Sequence, residues 1–277
     1  MIIATALEEL FYARGLLDGP VGIVPTMGYL HTGHIALVRR AKSECKSVIV
    51  TIFVNPTQFA PNEDLEKYPR STQRDLQALA DVQADVVWMP TPEIMYPPGY
   101  QTWVDVDTLT RPLEGSVRPG HFRGVTTVVS KLFNATRPDK AYFGQKDAQQ
   151  AAVIRQMTRD LSYPIEIVIC PTQREADGLA MSSRNSYLDM VQRQAATVLY
   201  RALSAAKSAF DNGEEHAEQL RQIVREVVGS EPLARLEYVS CADYESLAEL
   251  ETIETKALLS LAVHIGKTRL IDNFILE

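Results

Sequence analysis

Cysteine is scarce in this chain. Cys45, Cys170 and Cys241 are the whole complement, odd in number, far apart and without a C-x-x-C pair. That spacing argues against a disulfide framework and against a zinc site, leaving three small buried hydrophobes as the expectation. No apolar run approaches the roughly 18 residues of a membrane span. The opening "MIIATALEEL" lacks the basic region and apolar stretch of a signal peptide. The expectation is a cytoplasmic protein with no membrane partner. Concentrated Lys/Arg runs are missing too, and 28 basic against 35 acidic residues leave a formal charge of −7. Nucleic acid is therefore disfavoured as a partner, whereas a local basic pocket for a small phosphate ligand is not. Internal repeats and low-complexity tracts are also absent.

What the chain has is alternation. "VGIV" precedes an amphipathic "HIALVRRAKSEC"; "SVIVTIFV" precedes "STQRDLQALADVQ", with Ser71 at the expected N-cap, and then "DVVWM". "GVTTVVSKLFNAT", "KAYF", "DAQQAAVIRQMTRDL" and "IEIVIC" continue as helix, strand, helix, strand. Such alternation predicts an α/β fold, a doubly wound parallel sheet with helices on both faces. After "PTQREADGLAMSSRN" the pattern changes. Helical stretches over about 188–211 and 214–228 lead to "RLEYVSCADY", "ALLSLAVHI" and "RLIDNFIL", three expected antiparallel strands. The predicted division is residues 1–176 and a smaller α+β domain over 177–277.

"PTMGYLHTGH", residues 25–34, holds two of the five histidines. A helix N-terminus after a parallel strand offers unpaired N–H groups and a positive dipole end to an anion. Gly28 and Gly33 let a ligand approach the backbone closely, and His31 and His34 sit where both rings can donate to phosphate oxygens. The bland alternative is two unrelated surface histidines beside ordinary turn glycines. "VNPTQF" follows an apolar strand, so Asn55 and Gln58 fall at the sheet's carboxyl edge, as ligands or as loop-structuring amides. "FGQKDAQQ" offers Gly144, the mobile cation Lys146, and Asp147, which either accepts from a ribose or caps the helix. Gln150 lies one helical turn beyond Lys146. "MSSRN" brings Ser182, Ser183 and Arg184, two hydroxyls and a guanidinium fork suited to polyphosphate, although serine-rich turns are common. "VRPGHFRGV" adds a basic cluster ahead of a helix, Arg118 to hold an acid or phosphate, and His121 and Arg123 as ligands or as solvated side chains. Asp75 is either a Mg²⁺ contact through nucleotide phosphates or an exposed helix carboxylate.

The H-x-G-H pattern resembles the HIGH motif of the nucleotidylyltransferase superfamily. The longer "PTMGYLHTGH", with "FVNPTQFAPNEDLEKYPR", "FGQKDAQQAAVIRQM" and "READGLAMSSRN" in that order, resembles the pantothenate synthetase family specifically. The matching segments run from about residue 21 to 188.

The resemblance implies a Rossmann-like domain binding nucleotide and pantoate, a C-terminal lid domain, and a homodimer. It implies condensation of (R)-pantoate with β-alanine, ATP being the co-substrate and Mg²⁺ its companion, through a pantoyl adenylate on the route to pantothenate. It further implies that His34, His31 and Lys146 are catalytic. The implied ATP contacts are Met27, Gly28, Tyr29, Leu30, His31, Thr32, Gly33, His34, Gly144, Gln145, Lys146, Asp147, Gln173, Met181, Ser182, Ser183 and Arg184. Gln58, Gln150, Asn55 and Arg118 are the implied pantoate ligands, with Gln58 also near β-alanine. Gln145 stands where many members carry Glu, and Gln173 where an apolar residue is common. The competing functions are a nucleotidyltransferase that releases its product, a tRNA synthetase for which the chain is too short and acidic, and a non-catalytic nucleotide sensor.

Overall fold

Six strands share one parallel sheet in the computed structural model, which describes residues 1–61 and 63–277. β1 (Ile2–Ala4) and α1 (Leu7–Gly15) precede β2 (Val21–Thr26), α2 (Thr32–Glu44) and β3 (Ser47–Ile52). Next come α3 (Thr72–Asp81), β4 (Val86–Trp88), α4 (Pro92–Met95), α5 (Glu114–Val117) and α6 (His121–Thr136). β5 (Lys140–Gly144), α7 (Ala148–Asp160) and β6 (Glu166–Cys170) complete the set. The strand order is β1-β4-β3-β2-β5-β6. Val21, Ile23, Val24, Val48, Ile49 and Val50 are wholly buried, as expected of central parallel strands covered on both faces.

β2 is where the winding reverses: the chain runs from it to β3 and β4 on one side, and β5 with β6 lies on the other. β2 pairs with β3 along its full length, but with β5 only at Gly22↔Lys140 and Ile23↔Ala141. Beyond that point the carboxyl ends of β2 and β5 are no longer paired with each other. Doubly wound sheets hold their ligands at such a reversal, outside the carboxyl ends of the strands.

Two compact units divide the chain. The first is Met1–Gly144 with Gln149–Pro171; the second is Gln145–Ala148 with Thr172–Glu277. A single boundary near residue 176 therefore misses the short turn at Gln145–Asp147, whose contacts lie with the second unit. That unit holds α8 (Met190–Ala195), α9 (Val198–Asp211), α10 (Ala217–Gly229) and the antiparallel sheet β7 (Ala234–Asp243), β8 (Ala257–Ile265), β9 (Thr268–Leu276). Leu199, Leu203, Leu220 and Val224 of its helices share a core with Leu259, Leu261 and Val263 of β8. The single helix expected over 188–211 is two. At the break, both the N–H and the hydroxyl of Thr197 bond the Gln194 carbonyl, at 3.2 and 2.8 Å, a tightened three-residue step that redirects the chain. β1 and α1 are further elements that the alternation did not mark. Ser71 occupies the N-cap of α3 without making a side-chain cap bond.

Candidate active site

Both motif histidines are held by the backbone they cap. His31 is the N-cap of α2, and its Nδ1 accepts the Gly33 N–H at 3.2 Å. His34, three residues on, accepts the His31 N–H on its own Nδ1 at 3.3 Å. An accepting Nδ1 carries no proton, so each neutral ring holds its proton on Nε2 as a donor. The ring centroids are 4.1 Å apart. The sequence thus yields a pair of adjacent imidazoles, tilted by 38°, at a helix N-terminus on the carboxyl side of β2.

The stretch leading to them is strained and pinned. Gly28 and Tyr29 both have left-handed backbones, at φ 82° and 50°. Glycine takes that conformation freely, whereas tyrosine does so only when its surroundings compel it. Asp75 supplies the compulsion. Its two carboxylate oxygens accept the Tyr29 and Leu30 N–H groups at 2.7 and 2.8 Å. Arg74 adds a bond to the Leu30 carbonyl at 3.0 Å and lies over the Tyr29 ring. Asp75 is 1% exposed. This corrects the reading of Asp75 as an exposed helix carboxylate: it is buried, and each of its oxygens holds one N–H of the loop. Leu30 is likewise buried, with its N–H on Asp75 and its carbonyl on Arg74. Met27 is half-buried ahead of the pinned turn, and Thr32 opens α2.

The two amides belong to a short turn at Pro56–Gln58. Asn55, 1% exposed, caps it. Its Nδ2 donates to the Gln58 Oε1 at 2.9 Å and to the Gly124 carbonyl at 3.1 Å, while its Oδ1 accepts from the Thr57 and Tyr96 hydroxyls. Asn55 therefore has nothing left for a substrate. It is corrected from pantoate ligand to the residue that orients Gln58 by occupying the acceptor end of its amide. Arg118 is also corrected. Its guanidinium is forked onto Glu63, with two bonds of 2.7 Å, and reaches the Gln58 carbonyl at 3.4 Å, so its charge is neutralised inside the protein. Gln150 is half-buried on α7. Its neighbour Gln149, inside the same "FGQKDAQQ" stretch but given no role there, is the structural amide: it bonds the Leu109 and Pro112 carbonyls and the Glu114 N–H.

His121 closes this loop from α6, with Nδ1 at 2.9 Å from the Gln58 carbonyl and Nε2 at 3.2 Å from Arg118. A neutral ring donating to the carbonyl and accepting from the guanidinium satisfies both contacts. Burial first, and then the Arg118 charge, push its pKa down to about 4 from 6.5. The folded state accordingly binds fewer protons between those values. Its stability contribution is complete above about pH 6.5 and declines as pH falls toward 4, by about 3 kcal/mol at the limit. Chemical denaturation of the protein and of His121→Gln between pH 4.5 and 7.5 should show the loss in the former and a flatter profile in the latter. Parallel profiles would assign the titration to other groups.

The second unit carries the remaining residues. Lys146, on the Gln145–Asp147 turn, places Nζ 3.2 Å from Asp147 Oδ1. Gln145 donates from its amide to Asn273 Oδ1 at 3.0 Å. Gln173 is exposed, and its carbonyl accepts the Met181 N–H at 2.9 Å. Ser182 caps a short turn at Ser183–Tyr187 by accepting the Arg184 N–H, and Asn185 ties that turn back to the Ala180 carbonyl at 3.1 Å. In the first unit, Gly144 ends β5 with open space where a Cβ would be. Among the described residues, no group of three or more His, Cys, Asp or Glu side chains is placed to hold a metal ion, and no helix is long and apolar enough to cross a membrane.

Comparison with known proteins fits this arrangement. Residues 4–275 match the family described as pantoate-beta-alanine ligase. The pantothenate synthetase of Roseiflexus sp. (strain RS-1) is 58% identical over 277 residues, covering all of both chains. That of Roseiflexus castenholzii is 59% identical over 276 residues, covering 100% of this chain and 99% of the relative. Among solved structures, pantothenate synthetase from Thermus thermophilus superposes with a TM-score of 0.95 at 44% identity, covering 99% of each chain. The pantoate-beta-alanine ligase of Francisella tularensis, solved with beta-gamma ATP and beta-alanine, gives 0.81 at 38% identity, covering 99% of this chain and 97% of that one. With its whole length matched in sequence and in fold, the chain belongs to the pantoate–β-alanine ligase family, the pantothenate synthetases.

Proposed function

We infer that this chain condenses (R)-pantoate with β-alanine, using ATP and releasing AMP and pyrophosphate through a pantoyl adenylate. The observation that carries the reading is the paired Nε2–H donors of His31 and His34 at a helix N-terminus, on a sheet whose adjoining loop presents an oriented amide, Gln58. In the first half-reaction a pantoate carboxylate oxygen attacks the α-phosphorus, and the bond to the bridging oxygen of pyrophosphate breaks. His34 and His31 donate to the oxygens on which charge builds, a contribution larger in the transition state than in the ground state. Lys146, Ser182, Ser183 and Arg184 offset charge on the β- and γ-phosphates. Gln58 and Gln150 hold pantoate. In the second half-reaction the free amine of β-alanine, positioned beside Gln58, attacks the acyl carbon; AMP departs and the nitrogen sheds a proton.

Mg²⁺ belongs to this reading as the companion of the nucleotide phosphates. The described residues offer it no carboxylate cluster, so no step is routed through it. A homodimer working in the cytoplasm completes the proposal. The competing reading is a nucleotidyltransferase that releases an adenylated acid, and the second half-reaction separates them. Labelled pyrophosphate should exchange into ATP with pantoate present and β-alanine absent, and net AMP release should require β-alanine. Exchange that strictly needs β-alanine would remove the separate adenylation step. AMP-acid accumulating in solution would favour the transferase.

A further inference from the structure

Asn273, on β9, is 4% exposed and spends its entire amide on one turn. Its Nδ2 donates to the Gln145 carbonyl at 3.0 Å and the Lys146 carbonyl at 2.9 Å, and its Oδ1 accepts from Gln145 Nε2 at 3.0 Å. The preceding residue, Asp272, is 2% exposed and receives both terminal nitrogens of Arg174, at 2.6 and 2.9 Å. The same carboxylate accepts the Asn273 N–H at 2.8 Å. Arg174 also donates to the Gly178 carbonyl at 3.0 Å and lies against the Tyr200 and Phe274 rings. It bridges to Ala180, in the arm that runs directly into residues 181–184. One chain of buried bonds thus joins two segments separated widely in sequence, the Lys146 turn and the "MSSRN" loop.

We propose that Asn273, seated by the Asp272–Arg174 pair, is a positioning residue for adenylation, fixing the Lys146 turn in register with the loop at residues 181–184. The inference rests on reading those two segments as the polyphosphate ligands. Lysine is a flexible point charge, and the position of its backbone is what the protein can determine in advance. With both flanking carbonyls held, Lys146 starts from one place, and less order has to be imposed when ATP binds. Without Asn273, two carbonyls and the Gln145 amide lose their partner, and the turn is free to shift.

The two half-reactions make the test specific. Pantoate-dependent pyrophosphate exchange should fall about tenfold to a hundredfold in Asn273→Ala, as expected for loss of several buried bonds. Conversion of synthetic pantoyl adenylate with β-alanine, which uses no β- or γ-phosphate, should stay within about twofold. Asn273→Asp keeps the volume but lacks the donors, and should be as slow in exchange as the alanine variant. It also carries the test if the alanine variant does not fold. Asn273→Ala combined with Lys146→Ala should be no slower than Lys146→Ala alone. Equal losses in both half-reactions, recovery in Asn273→Asp, or multiplied losses in the double variant would each overturn the inference. Normal exchange in Lys146→Ala would instead sink the phosphate assignment beneath it.

Discussion

Alanine at His34 should lower the rate of adenylation by about 10²–10³, the loss typical of removing one preorganised donor to a developing oxyanion. Affinity for preformed pantoyl adenylate should fall much less, because the donor's advantage lies in the transition state. His34 also caps α2 through its Nδ1, so some loss of stability is expected, on the order of 1 kcal/mol. His34→Asn separates the two roles. Its side-chain oxygen can accept the His31 N–H and restore the cap, but no N–H reaches where Nε2 stood. Exchange that stays low in His34→Asn while the melting temperature recovers identifies the donor as the catalytic element. Exchange restored along with the melting temperature reduces His34 to a cap.

That pairing of roles explains what was legible in the sequence. A strand, glycines and two histidines three apart are local features, and local features fix the β2–α2 junction. The rest of the support comes from afar. Asp75 lies 45 residues beyond Leu30 in sequence, and a lone aspartate early in a helix gives no hint of the loop it pins. One signal was available: a Tyr following a Gly in a turn must expose backbone N–H groups that need an acceptor. It points to a requirement and not to a residue.

Asn55 and Arg118 show the reverse error. Both have the right chemistry for a carboxylic acid substrate, and Asn55 also lies just beyond the end of β3. Whether an amide or guanidinium faces a ligand depends on whether the protein has already used its hydrogen bonds, and only tertiary structure settles that. Asn55 meets Gly124 and Tyr96, and Arg118 meets Glu63, none of which is a sequence neighbour. The Gln145–Asp147 turn is a similar case: it sits between β5 and α7 in sequence, yet Asn273 ties it to β9.

Gly124→Ala should disable pantoate binding without touching any proposed ligand. Gly124 lies in the first turns of α6, against the Pro56–Gln58 turn. A Cβ there would stand 2.3 Å from the Thr57 carbonyl oxygen, 2.6 Å from its carbon and 2.9 Å from the Gln58 nitrogen. These are backbone atoms, so no rotamer change relieves the clash; either the helix or the turn must move. The contact is also cross-linked, by Asn55 to the Gly124 carbonyl at 3.1 Å and by His121 to the Gln58 carbonyl at 2.9 Å. Overpacking of this kind costs about 1–3 kcal/mol of stability. A displacement of about 1 Å in a positioned group costs about a hundredfold in function. Calorimetric titration should therefore show pantoate affinity falling by about two decades, with ATP binding in the absence of pantoate nearly unchanged. Pantoate affinity within about threefold of the parent would mean that the Gln58 turn is not where the acid binds. Equal losses for both ligands would mean that Gly124 supports the whole domain and not that one turn.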